Sequence, residues 1–181
     1  MLTEESQKTH NTIRTFAELS IAPLLKNNLE RAGFRIPTPV QASSLLPALE
    51  GRDILGTAQT GTGKTLAFAL PILERLMQSR GRGIEALILL PTRELAMQVL
   101  ETLKLLGRGT GIPATLVVGG LSESRQLEEI RRGARLVIAT PGRLNDYIQR
   151  NLIALGQVKI LVLDEADRMV DMGFLPQMRR I

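Results

Sequence analysis

The chain has no cysteine and no tryptophan, one histidine, and aromatics at only 3% of its 181 positions. Without cysteine there is no disulfide and no thiolate-held metal, which is compatible with a cytoplasmic location. The one histidine, His10, lies in a polar leader, so neither a histidine-based catalytic triad nor a multi-histidine metal centre is expected. No apolar run approaches the roughly 20 residues that a helix needs to cross a bilayer, and no membrane partner is expected. Residues 1–15, MLTEESQKTHNTIRT, lack the apolar core of a signal peptide and read as a disordered leader. The shortage of aromatics argues against base stacking as a way to hold single-stranded nucleic acid.

What is present is an ordinary globular composition, 44% hydrophobic and 23% charged, with a net charge of +5 that leans towards polyanionic partners. Five short apolar runs stand out: DILGT (53–57), EALILL (85–90), ATLVV (114–118), RLVIA (135–139) and KILVLD (159–164). They are nearly continuous and do not alternate, as strands covered on both faces should be. Helical periodicity lies between them, over Lys64–Met77, Arg93–Leu106, Ser122–Arg132 and Gly142–Gln149, and before them over Ile21–Arg31 and Val40–Leu46. Pro71 should kink or split the first inter-strand helix. Strand–helix alternation of this kind predicts an α/β fold, a parallel sheet with helices on both faces.

Polar segments follow the strands directly: AQTGTGKT, PTREL, GG, TPGR and DEAD. In a parallel sheet all five would line one rim, the edge at which open α/β sheets bind ligands. Ala58-Gln59-Thr60-Gly61-Thr62-Gly63-Lys64-Thr65 is a candidate P-loop with Ala58 where the usual first glycine would stand. Its glycines let backbone N–H groups turn towards phosphate, Lys64 would reach the terminal phosphates, and Thr65 would ligate Mg²⁺. The acidic run Asp164-Glu165-Ala166-Asp167 ends the last strand, and three carboxylates so close call for a cation. Asp164 would hold Mg²⁺ opposite Thr65; Glu165, pointing elsewhere by strand alternation, would orient the attacking water. Lys64, Asp164 and Glu165 are thus the candidate catalytic residues. Met169 and Met172, near Phe174, read as core filling, and Arg131, Arg132, Arg179 and Arg180 as solvated helix faces.

These motifs, in this order, resemble the first RecA-like domain of DEAD-box RNA helicases. Upstream, GFRIPTPVQ (33–41) resembles the family's Q motif, with Phe16 in the place of its isolated aromatic. The resemblance covers residues 16–181 and implies a RecA-like P-loop domain that binds ATP with Mg²⁺. It implies that Gln41 reads the adenine edge while Phe16 and Arg35 pack around the base, with Thr60, Gly61, Thr62, Gly63, Lys64 and Thr65 around the phosphates. It carries Thr92, Arg93, Gly119, Gly120, Thr140 and Arg143 over as RNA contacts. Helix starts at Thr92 and Thr140 would offer free N–H groups to phosphate, so binding should be to the backbone, sequence-independent and salt-sensitive. The resemblance further implies a Ser-Ala-Thr strand and a second RecA-like domain beyond Ile181, so the 181-residue chain is expected to bind nucleotide and RNA weakly and not to unwind duplexes. A DNA translocase on the same core, and an ATP-gated RNA clamp, are the competing readings.

Overall fold

A computed structural model of the protein describes residues 12–59 and 61–181. Four of the apolar runs form strands, β1 (Ala86–Leu89), β2 (Ala114–Val117), β3 (Leu136–Ala139) and β4 (Ile160–Leu163). All pairings are parallel, in the order β2-β3-β1-β4. Leu89 is level with both Ala139 and Leu163, and Val117 with Ala139, so the four strands end at one rim. The helices are α1 (Pro23–Arg31), α2 (Pro39–Leu49), α3 (Lys64–Gln78), α4 (Arg93–Leu106), α5 (Glu123–Arg131), α6 (Pro141–Gln149), α7 (Ala166–Asp171) and α8 (Leu175–Met178), and a short 3-10 turn, Phe16–Glu18, precedes them.

Successive residues of β1 serve opposite layers. Ile88 and Leu90 pack with α3 and α4 on one face, and Leu87 and Leu89 pack with Leu144 and Tyr147 of α6 and Met169 of α7 on the other. Both faces are therefore dry, which is why β1 and β3 lack polar alternation. Each fully buried leucine, such as Leu25, Leu70 or Leu106, contributes about 1.5–3 kcal/mol relative to exposure.

At the edge opposite the rim, Glu85 accepts hydrogen bonds on both its side chain and its backbone oxygen. Its carboxylate pairs with Arg135 at 2.6 Å, and its backbone oxygen takes the Lys159 N–H at 2.9 Å. Arg135 also donates to the carbonyls of Leu76 (2.9 Å) and Ser79 (3.1 Å) at the end of α3. The Ser79 hydroxyl closes on the same carboxylate.

Four expectations need correction. The run 53–57 is not a strand: β4 is the edge of the sheet, and among the described residues no backbone hydrogen bond joins 53–57 to it. Leu55 is consequently 99% exposed, and Leu161 and Leu163 on β4 are 55% and 46% exposed. A strand apolar on both faces needs a ladder partner as well as covering layers, and this run has neither. Pro71 does not split α3, which runs unbroken from Lys64 to Gln78 with Pro71 buried against the core. Two residues assigned to the leader belong to the domain, since Ile13 is buried in the core and Thr15 caps the 3-10 turn; residues 1–11 of that expectation lie outside the described residues. Met169 fills core space as expected, but Met172 is half-exposed.

Candidate functional site

The rim divides into two halves. The first is built where α2 meets the turn into α3. Gly61 and Gly63 both take positive φ, +85° and +86°. At Gly63 the requirement is double, since a Cβ there would stand 2.3 Å from Gln41 Nε2. That contact is a hydrogen bond in the making of the site: Gln41 Nε2 donates to the Gly63 carbonyl at 2.9 Å, and Gln41 Oε1 accepts the Thr38 N–H at 2.9 Å. Thr38 Oγ1 is buried beside them without a partner. The Thr62 hydroxyl donates to Gln59 O (2.7 Å), and Lys64 Nζ folds back onto Ala58 O (2.7 Å), so the loop closes around its own ammonium group. Thr65 follows on the first turn of α3, at the positive end of the helix. Thr60 lies outside the described residues.

The acidic segment stands opposite. Asp164 is anchored by its N–H to Leu89 O at 3.0 Å. Burial holds its carboxyl above the ordinary range, the Lys64 charge pulls it down, and neighbouring Glu165 pushes it further up. Arg135 ties the end of α3 to the far edge of the sheet, so the start of α3, with Lys64, lies at the rim where β4 ends in Asp164. Glu165 departs from the expected geometry. Its backbone is left-handed, φ 52° and ψ 46°, so strand alternation no longer aims its side chain. Its carboxylate instead pairs with Arg168 at 3.1 Å, only 14% exposed. Asp167 is exposed on the first turn of α7.

No group of three or more His, Cys, Asp or Glu side chains among the described residues forms a protein-only metal cage. Asp164 with the Thr65 hydroxyl is an oxygen pair of the kind that holds Mg²⁺ together with substrate phosphates, and the raised Asp164 carboxyl is one that a cation would relieve. These residues fit such an ion.

The expected base contacts sit differently. Phe16 is 3% exposed and meets Phe34 edge-on at 6.5 Å, so the ring serves the core and is not open to stack on a base. Together with Lys26 and Arg35 these rings line a recess of about 210 Å³. Gln41 is likewise 3% exposed, with both amide atoms already engaged by the protein.

The second half of the rim is a hollow of about 560 Å³ bounded by Pro91, Arg93, Gly119, Thr140 and Arg143. Segments after β1, β2 and β3 thus converge as predicted. Thr92 caps α4, accepting the Leu95 N–H at 3.3 Å. Thr140 is the N-cap of α6 with Pro141 at its first turn, the helix start that was expected, although the Thr140 hydroxyl makes no cap bond. Gly120 has φ +76°, and a Cβ there would fall 2.7 Å from the Arg93 guanidinium. Arg143 lies over the Tyr147 ring at 5.6 Å and pairs with Glu123 at 3.1 Å.

Sequence reading missed three residues here. Gln126 is 4% exposed; its amide takes the Val118 N–H and donates to Val118 O, both at 3.1 Å, clamping the chain as it enters Gly119-Gly120. A glutamine one residue before Leu127 and four before Ile130, on the inward side of a helix, was the available signal. Glu123 and Arg150 complete an ion cluster with Arg143, and nothing in their local sequence marks them out.

A family model for DEAD/DEAH box helicases matches residues 38–181. The chain belongs to this family. Among solved structures it is similar to a DEAD box protein from the hyperthermophile Methanococcus jannaschii, with 36% identity and a TM-score of 0.88 over 93% of this chain and 46% of that one. It is also similar to the RNA-helicase Prp28 from Chaetomium thermophilum bound to ADP, with 39% identity and a TM-score of 0.89 over 94% of this chain and 43% of that one. The chain therefore spans less than half the length of these family members, and its four-stranded parallel sheet corresponds to their RecA-like domain.

Proposed function

We propose that this domain binds ATP between the Gly61–Thr65 turn and Asp164, and RNA along the adjoining hollow, as part of an ATP-dependent RNA helicase. The observation that carries the reading is the pair of left-handed glycines, Gly61 and Gly63, that turn the chain into α3 beside the rim where β4 ends in Asp164. A triphosphate entering the loop would take the Lys64 ammonium from Ala58 O and accept the N–H groups at the head of α3. Asp164 and Thr65 would hold Mg²⁺, which when bound neutralises phosphate charge. Glu165 lies next in the chain and would orient water after release from Arg168. The second hydrogen-bonding valence of each Gln41 amide atom suits an adenine edge brought up to α2, and the ADP bound to Prp28 supports an adenine nucleotide as ligand. Arg93, Arg143, Gly119, Gly120, Thr92 and Thr140 would hold an RNA backbone without reading its bases. In the whole protein, domain closure on ATP and RNA would strain and separate short duplexes.

Titration calorimetry with ATP and Mg²⁺ tests the site. Lys64→Ala should reduce affinity at least about tenfold, the loss of one charge-assisted phosphate contact. Unchanged affinity in a folded variant overturns the assignment.

A further inference from the structure

Arg150, the C-cap of α6, follows Arg143 by seven residues, two turns, so the two side chains leave the same face of the helix. That face meets the start of α5, where Glu123 occupies the first helical position. Glu123 bonds both guanidinium groups: Arg143 at 3.1 Å, and Arg150 through both nitrogens at 2.7 and 2.9 Å. Asp146 adds a second carboxylate to Arg150 at 3.1 Å. Glu123, Asp146 and Arg143 stand on the wall of a hollow that the proposed reading gives to an RNA backbone, and Arg150 adjoins that wall through its bonds to both acids, so two acids and two bases cancel there. A carboxylate held by one arginine fork and by a single nitrogen of a second guanidinium offers the kind of anionic oxygen pair that a phosphate would offer in the same place.

We propose that Glu123 is an internal stand-in for an RNA phosphate, which displaces it, and that Arg150 thereby becomes a further backbone contact beside Arg143. This rests on the RNA reading of the hollow. The exchange is easy because the cluster is exposed: the Glu123, Arg143 and Arg150 side chains are 36%, 22% and 47% accessible. Ion pairs in that setting are weak, so an incoming phosphate meets little resistance. The Arg150 guanidinium holds the Glu123 carboxyl below its ordinary range, so the acid stays ionised and in place near neutral pH. The dipole at the start of α5 favours the same charge. Glu123 therefore lowers affinity for any strand that cannot outcompete it, and steepens discrimination between a well-seated backbone and a loosely held one.

The test is fluorescence anisotropy of a labelled single-stranded oligouridylate over a range of salt concentrations. E123Q should tighten binding about threefold to tenfold and steepen the logarithmic salt dependence by about 1.4, as two cations are released for phosphate at about 0.7 each on a single strand. Glu128 pairs with Arg132 on the same helix, away from the hollow, and E128Q removes an equal charge; it should change binding far less. Arg150→Ala in the E123Q background should reverse most of the gain. Equal effects of E123Q and E128Q overturn the proposal, because bulk charge then explains both. No effect of E123Q while Arg143→Ala weakens binding overturns it too and leaves the RNA reading standing. Binding indifferent to both Arg143→Ala and Arg93→Ala sinks the RNA reading and this proposal with it. Should E123Q not fold, the guanidinium nitrogen resonances of Arg143 and Arg150 in the unaltered protein decide: both should shift on adding RNA, and a stationary Arg150 signal overturns the proposal.

Discussion

Asp164 shows what a half-buried carboxylate at the rim costs its own fold. Its carboxyl is half-buried, beside Glu165, and held above the ordinary range by burial first and then by that neighbour; Lys64 offsets only part. Near neutral pH the fold therefore carries a charge that is disfavoured in the absence of a cation. An acid whose folded value is raised binds its proton more readily when folded, so its penalty shrinks as pH falls through that raised value and is complete above it. Asp164→Asn removes the charge and keeps the shape. The nucleotide-free variant should be more stable than the parent near neutral pH by about 1 kcal/mol, with binding of magnesium and nucleotide lost. Chemical denaturation at neutral and at acidic pH checks this: the gain should fade towards acid, where the parent is already protonated. Equal stability of the two proteins at neutral pH would show that Asp164 is not strained. Glu165 adds a backbone cost at the same spot, since a non-glycine residue in the left-handed region is worth about 1–3 kcal/mol of strain.

At the scale of elements, the sequence made strands plain where both neighbours and covering layers exist. EALILL and RLVIA became β1 and β3 because each has a partner on both sides and a helix layer on both faces. The helix Arg93–Leu106 was legible to the residue, since Thr92 caps it and Gly107 ends it. DILGT carried the same apolar signal and did not form a strand, because composition reports a preference for burial and says nothing of whether a ladder partner is at hand. The site divides in the same way. Glycines, Lys64 and Asp164 were legible because their chemistry demands that pattern. The engagement of Gln41 with Gly63, the burial of Phe16 and the Glu123 cluster were not, because they depend on which elements pack together. Hydrogen exchange follows from this contrast. Amides of Asp53 to Thr57 have no ladder bonds among the described residues and should exchange orders of magnitude faster than those of Leu87 to Leu89, whose opening approaches global unfolding. Comparable protection of the two segments would mean that 53–57 is paired after all.

Across the whole molecule, the two edges of the sheet have opposite duties. The rim holds partly exposed guanidinium groups, a strained Glu165 and a disfavoured Asp164. The far edge is tied by Glu85 and Arg135, which join the starts of β1 and β3 to the end of α3, while the Glu85 carbonyl takes the chain entering β4. The Glu85 side chain is 3% exposed, so its charge stands only because its partners hold it. Burial alone would raise its carboxyl; the Ser79 hydroxyl and Arg135 outweigh that and hold it below the ordinary glutamate range. A lowered folded value contributes stability that is fully present above the unfolded glutamate value and lost as pH falls through the lowered one. Glu85→Ala should therefore cost about 3–5 kcal/mol at neutral pH, much of it from leaving Arg135 half-buried without its acid. The double change Glu85→Leu with Arg135→Met should cost less than the single one, because it removes both charges together. Both variants should also lose part of the acid sensitivity that the parent shows below the ordinary glutamate range. Denaturation curves over pH for the three proteins read all of this at once. A double variant no more stable than Glu85→Ala would show that the pair contributes net stability to the far edge, and that its role goes beyond avoiding an orphaned charge.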